Sequence, residues 1–175
     1  MTNDEIETAY QAEVKQADTD HHTPTAGAMT GHIVANLNIN ITKLHQALWF
    51  LTGPESVAIK SLYRDLITEA RQTYDDLADV LLDEGQLPPS TTAEYEDYKM
   101  LEEDGRLKYH ATEDVLTTTI EDFNTQNLFV TRAITLAEKE DRPAMAAYLT
   151  TILGQNNHDV RVLEDVLGHK VEKPE

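Results

Sequence analysis

The 175 residues include no cysteine. Disulfides and thiolate metal sites are therefore excluded, and the absence fits a reducing compartment. Positive charge is scarce. Fourteen Lys and Arg stand against 32 Asp and Glu, a formal net charge of −18 at pH 7. Such a field repels DNA, RNA and anionic lipid unless a basic patch or a divalent cation intervenes, and it gathers cations. No polybasic arm supplies that patch. The N-terminal stretch "MTNDEIETAYQAEVKQ" is acidic, and in "GHKVEKPE" two lysines are offset by two glutamates. The N-terminal stretch also lacks the basic and apolar regions of a secretory signal. No apolar run approaches the ~20 residues that cross a bilayer, so a soluble, cytoplasmic protein with no membrane partner is expected. Gly-x-Ser-x-Gly and phosphate-cradling glycine loops are missing too, which leaves nucleophilic catalysis without support.

What is present is helical periodicity, with almost no strand-like alternation. Ile6, Tyr10 and Val14 mark a short acidic helix over residues 2–18, followed by a turn-rich connector, "DHHTPTAGAMTG". A helix beginning near Thr30 carries Ile33, Leu37, Ile41, Leu44, Leu48 and Leu51 in steps of four and three, and Gly53-Pro54 ends it. A second runs from about Glu55 to Glu84 on Ile59, Leu62, Tyr63, Leu66, Ala70, Leu77, Val80 and Leu81. A small helix is expected between Thr92 and Asp104. Two long helices follow, from about Glu113 to Glu140 and from Asp141-Arg142-Pro143 to Gly168, with Asn127 and Asn156 among their apolar stripes. Asp141-Arg142-Pro143 reads as an N-cap leading to Pro at an early helical position. Two short connections and one long one predict an all-α, ferritin-like four-helix bundle whose single crossover holds a short helix. The expected division is residues 1–28 as N-terminal helix and connector, 29–168 as bundle and 169–175 as tail.

Three constellations carry chemistry. Asp75, Asp79 and Asp83 recur at i, i+4 and i+8 with Asp76 alongside, a carboxylate row able to hold a hard cation. Leu77 and Leu81 lie roughly 200° round the helix from it, so in a lone bundle the row is a solvated face. It gains a metal role only if a second subunit covers it. An internal di-iron site of the Glu-x-x-His kind is excluded, since no Glu lies three residues before any of the seven histidines. Among those histidines, His45 sits beside Leu44 and Leu48, where a structural imidazole is the simpler reading, and His158 lies off the apolar stripes. His21 and His22, near Asp18 and Asp20 in the connector, form a candidate surface zinc or iron site.

"KLHQALWFLTGP", "YDDLADVLLDEG" and "HDVRVLEDVLGHK" resemble the Dps family, the small ferritin-like proteins named for DNA binding in starved cells. The likeness covers roughly residues 30–168. It implies a dodecameric cage that oxidises and stores iron and shields DNA from hydroxyl radicals, with a ferroxidase site between two-fold-related subunits. The family pattern takes a His just before the helical Trp and another about eleven positions after it, facing an Asp and an acidic residue four later. Here Leu48 precedes Trp49, Lys60 takes the second His position, and Asp75 and Asp79 take the acidic pair. Leu48 offers no lone pair and Lys60 competes with Fe(II) for the carboxylates. A ferroxidase-type oxidoreductase is thus implied by family, with its usual centre absent or weakened and His45 as a substitute ligand. The implied three-fold pores fall near Glu138, Glu140 and Asp141, with Ala146 or Ala147 where a further acid is expected. Some members bind DNA through a basic N-terminus, and here that region is acidic. The expected function is a homo-oligomeric cage, a dodecamer, that sequesters iron or other divalent cations against oxidative stress. The alternative is a DNA-compacting protein acting through its N-terminal helix or Mg²⁺ bridging.

Overall fold

The computed structural model describes residues 1–169, other than the side chains of Asp20 and His21. Helix α1 spans Asn3–His22, longer than its apolar stripe suggests. Thr2 and Glu5 form a reciprocal capping box at its start. No breaker follows until Pro24, so the helix runs through Asp18–His22. His21 and His22 therefore occupy the last turn of a helix and not a loop. Apart from Glu13 and Ala17, the described side chains of α1 are exposed, including Ile6, Tyr10 and Val14. The helix packs only weakly against the one that follows.

Helix α2 spans Ala26–Phe50. It opens four residues before the expected Thr30 because the Thr25 hydroxyl accepts the Ala28 amide at 3.1 Å. Gly27, expected as turn punctuation, is a close-approach residue inside this helix. A Cβ there would lie 2.5–2.9 Å from the Gln86 side chain.

Helix α3 spans Ser56–Asp83. It forms an antiparallel hairpin with α2 across Gly53 (φ 109°) and closes at Gly85 (φ 71°), where the Gln86 amide donates to the Leu81 carbonyl at 2.8 Å. The crossover holds helix α4, Thr92–Tyr98, shorter than expected, and a 3₁₀ turn at Gly105–Tyr109. Helix α4 stops at Tyr98 because the next backbone is claimed by α2. Asn36 Oδ1 accepts the amides of Met100 and Leu101 at 2.6 and 3.3 Å. Lys43 Nζ and Gln46 Nε2 donate to the carbonyls of Glu102 and Asp104.

Helices α5, Thr112–Lys139, and α6, Pro143–Val166, form the second hairpin. Asp141 adopts φ 56° at the turn. Arg142 is the N-cap of α6, without a side-chain bond, and Pro143 follows at the first helical position. The tightest packing joins α5 to α6, α2 to α3, and α2 to α5. One core, including Ile33, Leu44, Tyr63, Leu77, Leu116, Val130, Leu149 and Leu163, fills the four-helix interior. The fold is all-α, a ferritin-like four-helix bundle with one crossover, as the periodicity predicts. The expected tail, 169–175, lies outside the described residues beyond His169.

Candidate metal centre

Asp75, Asp79 and Asp83 are exposed along α3. Asp76, beside them, turns inward. It accepts from Gln72 Nε2 at 2.8 Å and from the Tyr148 hydroxyl at 3.3 Å. Burial, reinforced by the Asp76 carboxylate, pushes the Tyr148 phenol up to about 12. At the end of α2, Leu48 packs against the core while Trp49 is 66% exposed. Lys60 is half-buried near the start of α3.

His45 is committed at both nitrogens. Its Nδ1 donates to the Ile41 carbonyl at 2.7 Å, which leaves the lone pair on Nε2. Arg71 Nη2 on α3 approaches that lone pair at 3.4 Å. Arg71 precedes Asp75 by one turn, so the guanidinium sits on the face the carboxylate row occupies. The imidazole ring lies 5.5 Å from that of Trp49.

A second polar group lies inside the bundle. Glu69 on α3 and Asp159 on α6 accept from the same amide, Gln155 Nε2, at 3.1 and 3.2 Å. Glu69 is pushed up to about 7, chiefly by burial and then by the Asp159 charge. Burial also raises Asp159. Asn156 donates to Asn127 Oδ1 at 2.9 Å. Asn40 is 1% exposed with neither side-chain atom hydrogen-bonded. Another carboxylate, buried Asp122, is raised by burial but opposed by Lys43, whose Nζ stands 2.7 Å away.

Residues 29–170 match the family of ferritin-like domains. Over 97% of its length the chain is similar to the Lactococcus lactis MG1363 DpsB protein, at 38% identity and a TM-score of 0.91, spanning 98% of that chain. The DpsA protein of the same strain follows at 31% identity and a TM-score of 0.89, with 95% of this chain and 98% of that one covered. The chain belongs to the Dps family. A curated Dps relative, the DNA protection during starvation protein of Listeria innocua serovar 6a, is 35% identical over 72 residues. That match takes in 41% of this chain and only 46% of the relative.

In this Dps chain the residues expected at the inter-subunit site fall into two groups. Leu48, Lys60 and His45 lie on or beside the α2–α3 hairpin, and Asp75 and Asp79 are exposed on α3. Among the described residues no three His, Asp or Glu side chains converge on a metal-sized space.

His22 Nδ1 donates to the Asp18 carbonyl at 2.8 Å, and the side chain of His21 lies outside the described residues. The expected pore acids Glu138, Glu140 and Asp141 are all exposed. Glu140 is tied into the fold. Its Oε1 accepts the Ala26 amide at 2.8 Å and its Oε2 pairs with Arg142 Nε at 3.3 Å. Arg142 Nη1 reaches Glu84 Oε2 at 3.2 Å.

The interior group was missed for an identifiable reason. Asn40 continues the 33, 37, 44 stripe of α2, and Asp159 stands midway between Asn156 and Leu163 on α6. Polar residues in core register were the available signal.

Proposed function

We propose that this Dps chain assembles into a homo-oligomeric cage, a dodecamer, that takes up iron or related divalent cations as cargo and guards against oxidative stress. The usual inter-subunit ferroxidase centre is absent or strongly weakened. The observation that carries this reading is the composition of the α2–α3 hairpin. It presents exposed carboxylates at Asp75 and Asp79, while Leu48, partly buried, packs against the core and Lys60 supplies a cation where the family pattern has imidazoles. Arg71 faces the lone pair of His45, so a substitute imidazole ligand must first lose that contact. Cation collection then rests on the formal charge of −18 per chain. Mineral nucleates on carboxylates, with Glu138 and Asp141 among the candidates near the pores.

The test is anaerobic addition of Fe(II) to the assembled protein, followed by oxygen or peroxide. Oxidation close to a protein-free control, with the ferric product retained in the protein fraction, is expected. Oxidation far above that control would overturn the loss of the centre, and failure to retain iron would overturn storage.

A second reading, DNA compaction, is favoured by one observation: α1 stands away from the bundle with nearly all its described side chains exposed. Its acidic character demands Mg²⁺ bridging. A gel shift at low salt is expected to show binding only with Mg²⁺, and metal-free binding would make DNA the primary partner.

A further inference from the structure

Glu69 and Asp159 line a cavity of about 20 Å³ among the four helices, together with Asn40 and Asn156. The space suits one water-sized occupant. Its polar lining comes from near the middle of α2, α3 and α6. Among the described residues, neither carboxylate forms an ion pair; one amide, Gln155 Nε2, serves both. Asp122, buried like Asp159, has Lys43 beside it. Half-buried Glu69 and buried Asp159 thus have no ion-paired cation among the described residues.

Asn40 supplies an independent sign of an occupant. It is 1% exposed and lines the same cavity, yet both Nδ2 and Oδ1 lack a partner. Leaving such groups bare costs about 1–3 kcal/mol each. Asn156 is held by its donation to Asn127, and its Oδ1 accepts no hydrogen bond among the described residues.

A water would satisfy Asn40 but bring no positive charge to the two carboxylates. A cation does bring that charge, and it takes the Asn40 amide oxygen as ligand. The donors are all oxygen, with neither sulfur nor imidazole, which selects a hard ion. The small cavity and the missing Glu-x-x-His pattern limit it to one.

We infer that the cavity bounded by Glu69, Asp159, Asn40 and Asn156 binds a single hard divalent cation inside each subunit. It is separate from the exposed row of Asp75 and Asp79 and does not depend on cage mineralisation.

Mn²⁺ is the probe. Crystals of the assembled full chain are soaked in Mn²⁺ and measured on both sides of its absorption edge. An anomalous peak about 2.0–2.6 Å from carboxylate oxygens of Glu69 and Asp159 is expected. It should vanish in E69Q/D159N and persist in D75N/D79N. An empty or water-filled cavity in the unaltered protein, or a peak that survives E69Q/D159N, would overturn the site.

In solution, Mn²⁺ should raise the melting temperature of the unaltered protein and of D75N/D79N more than that of E69Q/D159N. Equal shifts in all three overturn the proposal. Should the double variant not fold, the near-isosteric E69Q alone is expected to bind Mn²⁺ at this site about tenfold more weakly, and undiminished binding overturns it. Ferric retention is read separately, so the cage function and this site fail independently.

Discussion

At the scale of single residues, the fold depends on polar side chains that serve the backbone. Asn36 is wholly buried and its Oδ1 holds two consecutive amides of the crossover. Asn36→Ala strands both, and a loss of about 2–4 kcal/mol is expected in urea unfolding. Glu69 gives a pH signature. Its folded carboxyl titrates near 7 because of burial and of Asp159, whereas an unfolded Glu titrates near 4.3. The folded chain therefore keeps a proton that the unfolded chain releases between those values. The resulting stability is complete below the unfolded value and is lost as the pH climbs towards 7. The groups facing Glu69 are Asp159 and Gln155 from α6 and Asn40 from α2, with exposed His158 influencing Asp159. Because Glu69 is only half-buried, solvent screens the effect. Chelator-treated protein should lose about 1 kcal/mol more than E69Q between about pH 5 and about pH 8. Identical pH profiles would show that Glu69 titrates normally.

At the scale of elements, helix ends are decided by a few caps. The Thr25 hydroxyl starts α2, and Thr25→Ala should lower stability by about 1 kcal/mol, measured as a reduced denaturation midpoint with unchanged slope. Glu140 does more than cap. It joins the first amide of α2 to Arg142, which in turn reaches Glu84 at the end of α3. Glu140→Gln keeps an acceptor for Ala26 but weakens the ion pair, whereas Glu140→Ala loses both. The alanine variant should be the less stable of the two by about 1 kcal/mol. Apolar stripes at steps of three and four revealed the four long helices, since each buries one face. The ends were harder to read. Asn36 acts through contacts that depend on chain placement, and Gly27 looks like a turn until Gln86 is seen lying over it. Motif spacing alone exposed the row at Asp75 and Asp79, because those residues share a helix. Asn40, Glu69 and Asp159 come from three helices, and only packing brings them together.

At the scale of the whole molecule, the charge of −18 favours cation uptake, while Leu48 and Lys60 stand where the proposed inter-subunit centre would take imidazoles. Restoring them should restore chemistry. L48H/K60H is expected to oxidise Fe(II) about tenfold faster than the unaltered protein, followed by absorbance of the ferric product. No gain would mean that more than two ligands have been lost. Helix α1 has a different consequence. A twenty-residue helix with nearly all its described side chains in water draws little support from the core, and tertiary packing is where most helical stability comes from. It should therefore open and close on its own while α5 stays shut. In the intact protein, backbone amides of α1 should trade hydrogen for deuterium within seconds, and those around Val130 should hold theirs for hours. The chain would behave as two clocks, one kept by solvent and the other by the bundle.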